Sequence, residues 1–494
     1  MESGHIIGTE VEYGVAVAGD PGFNPVTASA AVVNGYDDGA DRIRWSYDDE
    51  SPGRDARGFS VGEFPVDDTD SGLVNSVLRN GARFYVDHAH PEYSSPECGD
   101  PLEATLYDKA GEVVIHRASV DARRFLPEGH RLLLHKNNSD GKGNSYGAHE
   151  NFLVARSVPF GEIVHTMTAF LVSRQILTGS GKVGSEHSRP DVDYQLTQRA
   201  DFFEEEIGLE TTLKRPIINT RDEPHADPGK YRRLHVIFGD ANLSEVQTFV
   251  KLGSASLMLL ALQEGAVDEP MRLAEPVPSV TAVSHDLTGT APLELTDGTT
   301  SSALDLQWRY WEALNSFASE SSVPAVYKQV LVEWRKLLTD FEHGFEAVAD
   351  RLDWAAKLSL LEGYRRRDGI GWDDAKLKLL DLQYHDVDPD RGLYHRLVNA
   401  GRIRRLFTDR EVELAVTTPP ESTRAWFRGE SLRRYGSAVV AANWDSLVFD
   451  IGESTLRRVP MMEPTRGTRA LVEDLFNASP DAATLLDKLG GNDD

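Results

Sequence analysis

The stretch RPIINTRDEPHADPGKYRRLHVIFGDANLSE, residues 215–245, decides the fold class. Its first half is polar and contains Arg221, Arg232 and Arg233. It then runs into LHVIFGD, residues 234–240, an apolar segment of strand length. The overlapping segment LSEVQTFVKLGSASLMLLALQEG, residues 243–265, begins with a cap-like serine and has the apolar spacing of a helix. The stretch therefore predicts a strand that carries polar side chains, followed by an apolar helix.

Three other segments place polar residues on predicted strands in the same way. They are GTEVEYG (8–14), NGARFYVDHAHPEYSSPE (80–97) and KNNSDGKGNSYGAHENF (136–152). In the first of them, Glu10 and Glu12 share one face of the strand, because side chains at i and i+2 point the same way. A buried sheet face is normally apolar, so four polar strands in one chain predict a water-accessible cavity lined by the sheet.

The order of predicted elements favours an α+β fold with a mainly antiparallel sheet backed by helices. Strands and helices alternate without the regular spacing of βαβ units, and long helices fill roughly residues 303–365. Two prolines in TTPPESTRAWFRG (417–429) precede a different, shorter pattern. We therefore predict a catalytic domain over residues 1–423 and a small C-terminal domain over residues 424–494.

The segment from Asp37 to Asp70 differs in character from the rest of the chain. It contains eleven acidic residues against four arginines, with scattered glycine and proline and no lasting period. This composition predicts a long mobile loop without regular structure. A loop of this length inside a compact domain is usually functional or disordered. We interpret its centre, with Arg54, Arg57 and Phe59, as a gate for the active site, and plain disorder is the alternative.

Composition narrows the class of protein. The net charge of −27 argues against general nucleic-acid binding, which needs a basic surface. No apolar stretch approaches the ~18 residues of a membrane span, and the N-terminus has no signal-peptide pattern, so we expect no membrane partner. Cys98 is the only cysteine, which rules out an internal disulfide and suits a reducing cytoplasm. We expect Cys98 to be a buried, inert thiol.

The polar segments supply the groups of a metal- and phosphate-binding site. The carboxylates on them are Glu10, Glu12, Asp87, Glu92, Glu97 and Glu150. So many acids cannot share a cavity unless a cation neutralises them, and Mg²⁺ is the natural oxygen-binding candidate. The basic groups beside them are Arg83, Arg221, Arg232, Arg233, His149 and His235. Arginine suits phosphate or carboxylate oxygens, although structural ion pairs and buried core histidines are the alternatives.

The nucleotide-binding and zinc-binding motifs of several other enzyme classes do not occur in the chain. The segment DGKGNSYG (140–147) could wrap a phosphate, but it matches neither a Walker A loop nor a dinucleotide fingerprint. The chain has no CxxC pair and no HExxH motif, which disfavours zinc enzymes.

Together the four polar segments resemble the family of Pup ligases and Pup deamidases/depupylases. These enzymes are relatives of glutamine synthetase and glutamate–cysteine ligase that act on prokaryotic ubiquitin-like protein (Pup). The resemblance implies a glutamine synthetase-like fold. Two features resemble the depupylase branch, namely ESPGRDARGF at Glu50–Phe59 and the spacing of DHAHPE at Asp87–Glu92.

The resemblance also implies roles for individual residues. Asp87 would be the catalytic carboxylate. The implied metal-binding residues are Glu10, Tyr85, Glu92, His149 and His235, with Mg²⁺ as the metal. The implied nucleotide-binding residues are Arg83, Ser95 and Trp444, with ATP, or ADP with phosphate, as the nucleotide. Tyrosine is a poor Mg²⁺ ligand, so Tyr85 would act more readily through a water.

The implied activity is hydrolysis of a γ-glutamyl amide bond. The enzyme would cut the isopeptide between the side-chain carboxyl of Pup's C-terminal Glu and a substrate lysine, and would deamidate a C-terminal Gln of Pup. Because amide hydrolysis in water is downhill, the nucleotide would not be consumed. Alternatives are an ATP-consuming Pup–protein ligase, a small-molecule glutamate–amine ligase and a catalytically silent Pup-binding protein. The expected partners are Pup and pupylated proteins.

Overall fold

In a computed structural model of the chain, the structure describes residues 5–37, 43–47, 50–60, 74–186, 189–267 and 271–490. The strands are β1 (Ile7–Glu12), β2 (Gly14–Ala18), β3 (Arg44–Trp45), β4 (Asn75–Val77), β5 (Arg83–Asp87), β6 (His90–Ser94), β7 (Arg131–His135), β8 (Ala148–Ala155), β9 (Lys182–Val183), β10 (Tyr194–Gln195), β11 (Phe203–Gly208), β12 (Arg215–Asn219), β13 (Tyr231–Val236), β14 (Leu293–Glu294), β15 (Thr300–Ser301), β16 (Val439–Ala442), β17 (Ser446–Phe449) and β18 (Arg457–Pro460).

The helices are α1 (Pro25–Gly35), α2 (Pro101–Asp121), α3 (Phe160–Ser173), α4 (Gln175–Thr178), α5 (Glu245–Gln263), α6 (Pro276–His285), α7 (Ala303–Glu320), α8 (Ala325–Phe341), α9 (Asp353–Asp368), α10 (Ala375–Tyr384), α11 (Leu393–Asn399), α12 (Asp409–Thr417), α13 (Ala425–Tyr435), α14 (Arg469–Asn477) and α15 (Ala482–Gly490). The predicted α+β class is confirmed.

The main sheet has six strands in the order β13-β8-β1-β6-β5-β4, and every neighbouring pair is antiparallel. The prediction of a mainly antiparallel sheet is therefore confirmed. Register fixes which residues share a face: Glu10 lies opposite His149, and Glu12 lies opposite Glu92. Residues directly opposite each other project to the same side, so one face of the sheet collects these polar side chains.

The other face of the sheet is covered by helices. Along β1, Ile7, Val11 and Tyr13 alternate with the acids and are buried in the main apolar cluster. Helices α2 and α5 pack on this side and against each other. Asp100 caps α2 by accepting hydrogen bonds from the backbone of Leu102 and Glu103. A sheet with one polar and one apolar face thus follows from the alternation along its strands.

Helix α5 lies at the centre of the protein. Among the described residues it is the one helix that is long and apolar enough to cross a membrane, and 94% of that window is buried inside the protein. Such burial is what a core helix of a folded domain shows. Cys98 is buried nearby in the main cluster as a free thiol, as the sequence predicts. Burial raises the pKa of this thiol well above its usual value, so it stays protonated.

A second apolar cluster forms around the C-terminal residues. Phe427, Leu432, Phe476 and Leu486 belong to it, and so does Trp45 from the N-terminal half of the chain. The predicted boundary after residue 423 falls directly before α13, whose side chains enter this cluster. That residues 424–494 form a domain of their own stays a prediction.

The described parts of the segment from Asp37 to Asp70 are not a featureless loop. Arg44–Trp45 form β3, which pairs in parallel with β16. Residues 54–56 pair with the backbone of 220–222: Ala56 N–H donates to the Thr220 carbonyl at 2.8 Å, and Asp222 N–H donates to the Arg54 carbonyl at 2.9 Å. The prediction of no regular structure is therefore wrong for β3, because its partner strand is distant in sequence. Residues 38–42, 48–49 and 61–70 lie outside the described residues, and mobility of the segment stays a prediction.

Candidate active site

A cavity of about 1420 Å³ lies over the polar face of the main sheet. The predicted site residues that line it are Glu10, Arg83, Tyr85, Asp87, Glu92, His149, Arg221 and His235. Strands β1, β5, β6, β8 and β13 supply all of them except Arg221, which follows β12. The cavity lined by sheet residues is thus present, although the roles of the individual side chains stay predictions.

The first possible metal-binding group consists of Glu10, His149 and His235. Their candidate ligand atoms all lie within 4.8 Å of one another. His149 Nδ1 is 3.1 Å from Glu10 Oε2, and Asn151 donates to Glu10 Oε1 at 3.0 Å. Burial tends to raise the pKa of Glu10, but the His149 hydrogen bond and the charge of Arg233 outweigh it and hold the pKa well below the usual value. Burial lowers the pKa of His235 well below normal, which leaves a neutral imidazole able to ligate a metal.

The second group consists of Glu12, Asp87 and Glu92, whose carboxylate oxygens also lie within 4.8 Å of one another. Glu12 accepts a hydrogen bond from Gly147 N–H at 2.8 Å, which fixes its position. Burial, and then the negative charges of Asp87, Glu10 and Glu12, raise the pKa of Glu92 well above its usual value. The group therefore carries more negative charge than its protein surroundings balance. An all-oxygen set of this kind fits Mg²⁺, whereas the two imidazoles of the first group are less typical Mg²⁺ ligands.

Tyr85 lies beside the second group and contacts one of its members directly. Its hydroxyl donates a hydrogen bond to Glu92 Oε1. Burial raises the pKa of Tyr85 well above the usual value, so the hydroxyl stays protonated. A protonated phenol is a weak metal ligand, and this geometry favours Tyr85 as a group that orients Glu92.

Asp87 ends β5 at the turn into β6. Burial acts to raise the pKa of Asp87, but the hydrogen bond from His88 lowers it by more. The pKa therefore lies below its usual value, and the carboxylate is ionised. His88 Nδ1 lies 3.1 Å from Asp87 Oδ2. An ionised carboxylate inside the cavity can take a proton from water or attack a carbonyl carbon, as its predicted role requires.

Arg83 is held by aromatic rings from the insertion and from its own strand. Its guanidinium lies 4.1 Å from the ring centroid of Trp45 and 3.9 Å from that of Tyr85. Arg83 Nη1 also lies 3.8 Å from Glu50 Oε1, which brings the insertion to the cavity wall. Hydrogen bonds from Arg83 Nε to Asn75 Oδ1 at 3.1 Å and from Nη2 to the Tyr47 hydroxyl at 3.4 Å add to these ring contacts and fix the guanidinium at the cavity wall.

The remaining predicted arginines divide between the two faces of the sheet. Arg221 and Arg233 face the polar side. The Nε of each is buried without a hydrogen-bond partner among the described residues, as is that of Arg232, while the Nη groups of Arg233 pair with Glu10 and Glu223. Such unused donors fit an anionic ligand such as phosphate. Arg232 does not fit this use. Neighbouring residues of a strand project to opposite faces of the sheet, and Arg233 projects to the polar face. It donates to the Val158 carbonyl at 2.7 Å and is buried away from the cavity, which corrects its predicted role in cofactor binding.

Ser95 and Trp444 line a second, smaller pocket beside the Glu10 end of the cavity. Arg233 lines this pocket as well, and Glu10 lines both spaces. The Ser95 hydroxyl accepts a hydrogen bond from Thr9 N–H at 2.9 Å, and Trp444 packs edge-to-face on Trp45 at 5.3 Å. The structure therefore brings these two predicted nucleotide-binding residues together, although they are 349 positions apart by their numbers (444 − 95).

Two acids of the polar segments have structural partners instead. Glu150 points to the apolar face and pairs with the buried Arg174, and Glu97 pairs with Arg424 and Arg428. Conversely, the prediction of metal ligands omits Glu12, although the i, i+2 spacing with Glu10 signals it. Arg199 and Arg215 also line the cavity and are not among the predicted site residues, although Arg215 begins the polar stretch 215–245.

Comparison with known proteins identifies the family. A profile of the Pup-ligase protein family matches residues 5–448. The chain is 48% identical to a depupylase of Acidothermus cellulolyticus over 98% of this chain and 99% of that protein. It is also 48% identical to a Pup deamidase/depupylase of Mycolicibacterium smegmatis, over 98% of this chain and 99% of that protein. A crystal structure of Pup in complex with its ligase PafA matches with a TM-score of 0.82 and 32% identity, over 99% of this chain and 96% of that chain. The protein therefore belongs to the Pup-ligase family.

Proposed function

We propose that this protein is a Pup deamidase/depupylase. It hydrolyses the isopeptide bond between the C-terminal Glu side chain of Pup and a substrate lysine, and it deamidates a C-terminal Gln of Pup. The near full-length similarity to proteins named depupylase and Pup deamidase/depupylase supports this assignment. Pup and pupylated proteins are its partners, and a cytoplasmic location agrees with the single cysteine.

The position of Asp87 carries the proposal. This carboxylate lies in the cavity wall together with Glu12 and Glu92, and the cavity has room for an extended peptide end. In one route Asp87 takes a proton from water, whose oxygen then attacks the amide carbon. In the other, Asp87 attacks the carbon directly and water hydrolyses the resulting anhydride. In both, the C–N bond breaks as the nitrogen takes up a proton, from the Asp87 carboxyl in the first route and from water in the second, and it leaves as an amine or ammonia.

Mg²⁺ fits the Glu12–Asp87–Glu92 group, and Glu10 with His149 and His235 offers a second set of ligands. When bound, the cation would balance the clustered carboxylates and stabilise the negative charge that develops on the amide oxygen. The chain's own residues hold the acids in place: Gly147 N–H fixes Glu12, and the Tyr85 hydroxyl fixes Glu92.

A nucleotide fits the unused guanidinium donors. Arg221 and Arg233 would bind its phosphates, Arg83 at the cavity wall would add its positive charge, and the pocket with Ser95 and Trp444 would hold the remainder. Because amide hydrolysis is downhill, we propose that ATP, or ADP with phosphate, positions groups and is not consumed. The solved Pup ligase in complex with ADP, 34% identical over 85% of this chain with a TM-score of 0.76, supports nucleotide binding in this fold.

The test is incubation of purified protein with a Pup-conjugated substrate, Mg²⁺ and ATP, ADP or no nucleotide. Free Pup and ATP are measured together. Release of free Pup that requires nucleotide without equivalent ATP loss supports the hydrolase. Two variants are assayed beside the wild type. Glu50→Gln changes a residue that lines the cavity, and Glu204→Gln changes an exposed residue and is the control.

A Pup–protein ligase is the competing function, since two of the similar solved structures are Pup ligases. A ligase has to form an activated γ-carboxyl and therefore consumes one ATP per bond. Accumulation of conjugates with mole-for-mole loss of ATP would establish the ligase and overturn the proposal. Activity with free glutamate and a small amine would indicate a small-molecule ligase instead.

A further inference from the structure

Asn151 joins two members of the first possible metal-binding group and has no role in the mechanism above. It lies on β8, two residues after His149, so both side chains project to the polar face of the main sheet. Directly opposite it on β13 is His235. Directly opposite it on β1 is Gly8, which has no side chain, and the amide reaches diagonally across this space to Glu10.

The hydrogen bonds of Asn151 determine which way its amide points. Its Nδ2 lies 3.0 Å from Glu10 Oε1, and its Oδ1 lies 2.8 Å from Nδ1 of His235. A carboxylate oxygen accepts hydrogen bonds, so the end of the amide that faces Glu10 has to be the NH₂ group. The amide oxygen then faces His235, and it can only accept. The proton of this hydrogen bond is therefore on Nδ1 of His235, whether the imidazole is neutral or charged.

This arrangement leaves Nε2 of His235 as the nitrogen that can ligate a cation. The side chain is 2% exposed and lines the main cavity, and its ring meets that of His149 edge to face with the centroids 4.8 Å apart. A histidine that ligates a metal normally donates its other ring N–H to an oxygen, which sets the tautomer and the orientation of the ring. The amide oxygen of Asn151 is in the position of that acceptor.

The other end of the amide acts on Glu10. Oε1 of Glu10 accepts from Asn151 and lies 3.5 Å from Arg233 Nη1, and Oε2 lies 3.1 Å from His149 Nδ1. Arginine offsets the negative charge of the carboxylate, which weakens its attraction for a cation. The amide is uncharged, so Asn151 orients the carboxylate and leaves its charge available to a metal ion.

We propose that Asn151 is a positioning residue of the metal site, whose single amide fixes the Nδ1–H tautomer of His235 and the orientation of Glu10. This inference rests on the proposed function, in which a divalent cation binds at these residues. The position requires an amide, because one end has to donate and the other has to accept. Leucine is similar in size and can do neither. Aspartate can accept from His235 but, as a carboxylate, cannot donate to Glu10.

The tautomer is tested by NMR of the ring nitrogens in the metal-free, full-length protein labelled with nitrogen-15 histidine. The measurement is made at about pH 8, above the ordinary pKa of histidine, and the variant His235→Asn identifies the signals of His235. We expect the wild type to have the proton on Nδ1 and none on Nε2. Asn151→Asp should keep the proton on Nδ1, and Asn151→Leu should lose this preference. A wild-type His235 with its proton on Nε2 would overturn the proposal by itself.

Metal affinity is measured on the same proteins by titration with Mn²⁺, a paramagnetic substitute for Mg²⁺ whose unbound fraction is quantified by EPR. Asn151→Leu should weaken the binding of one Mn²⁺ ion about 10- to 100-fold, the usual effect of losing the partner of a metal-bound histidine. The exposed Asn399→Leu is the control and should bind Mn²⁺ as the wild type does. Unchanged Mn²⁺ affinity in a folded Asn151→Leu protein would contradict the positioning role. If urea unfolding shows that this variant is not folded, Asn151→Ala takes its place.

Asn151 also lines the smaller pocket with Ser95 and Trp444, so ADP affinity without added metal is measured by calorimetry on the same variants. The proposal expects it to be unchanged. Weaker ADP binding with unchanged Mn²⁺ affinity would assign Asn151 to the nucleotide and overturn the proposal. A wild type with the expected tautomer and Mn²⁺ affinity that releases no Pup from a conjugate would reject the proposed function and leave the positioning role standing.

Discussion

His88 Nδ1 lies 3.1 Å from Asp87 Oδ2, and His88 holds this position with a left-handed backbone, φ +51°. Asp87 pairs with His90 across the hairpin, so His88 and Ala89 form its two-residue turn. A residue with a Cβ pays roughly 1 kcal/mol for this conformation, which glycine adopts freely. A strained histidine folded onto the proposed catalytic carboxylate indicates that the contact orients Asp87.

Replacing His88 by asparagine removes the imidazole but keeps a residue that tolerates the backbone conformation of the turn. Asparagine tolerates the left-handed region, so we expect the free energy of unfolding to change by less than about 0.5 kcal/mol. The carboxylate of Asp87 loses its partner, and kcat for Pup deamidation should fall about 10-fold with KM little changed. Steady-state kinetics beside urea unfolding checks this, with the exposed His343→Asn as control. An unchanged kcat would remove His88 from the positioning of Asp87.

Asp87→Asn removes the proposed base or nucleophile and keeps the shape of the side chain. Turnover should fall by about 10²- to 10⁴-fold, which is the usual contribution of such a group. Pup binding should remain within about 3-fold, since the cavity and its arginines are untouched. The measurement pairs single-turnover deamidation with Pup affinity by fluorescence anisotropy. An active Asp87→Asn protein would exclude Asp87 from the chemistry.

Glu12→Gln tests the residue that the sequence prediction left out of the metal site. The amide keeps the hydrogen bond from Gly147 but removes one negative charge beside Asp87 and Glu92. We expect the Mg²⁺ concentration for half-maximal deamidation to rise about 10-fold or more. A Mg²⁺ titration of activity measures the shift, and Glu204→Gln, an exposed acid, is the matched control. The same half-maximal concentration in both variants would contradict the assignment.

Glu97 joins the end of the main sheet to the C-terminal cluster through Arg424 and Arg428. Burial acts to raise the pKa of Glu97, but the charges of Arg428 and Arg424 outweigh it and lower the pKa to about 2 from 4.5. A carboxyl with a depressed folded-state pKa contributes stability above its unfolded-state pKa and loses it as pH falls toward the folded-state pKa. The stability that Glu97 contributes through the two arginines is therefore complete above pH 4.5 and is lost by about pH 2.

Glu97→Gln should therefore lower the free energy of unfolding by about 3 kcal/mol at pH 7, because it leaves two buried arginines without a counter-charge. The difference from wild type should shrink at pH 3.5. Urea unfolding at the two pH values measures both effects. Glu421→Gln breaks the exposed pair with Arg469 and should cost less than about 1 kcal/mol. A pH-independent difference for Glu97→Gln would show that shape, not charge, is responsible.

Asp55→Ala tests whether the insertion supports the cavity. Asp55 is buried and accepts a hydrogen bond from the Thr220 hydroxyl at 2.6 Å, next to the phosphate-binding candidate Arg221. Without it, amide exchange in residues 54–58 should accelerate and ADP affinity should fall about 3- to 10-fold, as for one or two lost hydrogen bonds. Exchange mass spectrometry and calorimetry give the two readouts. Unchanged values in both would separate the insertion from nucleotide binding.

Sequence periodicity predicts much of the site. Glu10 and Glu12 share a face because they are two residues apart on a strand, and His149 and His235 fall on the same face of neighbouring strands. Alternation along a strand places the neighbours Arg232 and Arg233 on opposite faces of the sheet, but it does not say which of them faces the cavity. The register of strand pairing determines that. That register is set by pairing with β8, whose position depends on the packing of α5 and α2 behind it.

Contacts between distant segments could not be predicted from local patterns. Glu97 and Glu150 appear in the polar segments as cavity acids, but their partners Arg428 and Arg174 come from helical regions with no matching signal. Arg199 and Arg215 come from separate segments, and both donate hydrogen bonds to Ser145. Such pairings are determined by how whole helices and strands pack, and they produce no regular spacing in the sequence from which they could be predicted.

The parallel pairing of β3 with β16 links a residue pair near the start of the chain to one near its end. β16 spans Val439–Ala442, so this pairing cannot form until most of the chain has been synthesised. Trp45, which lies over Arg83, lacks its partner strand until then. During synthesis the acidic clusters are made well before β16 leaves the ribosome. A nascent polypeptide that ends before β16 thus carries these carboxylates but not the strand that pairs with β3 beside Arg83.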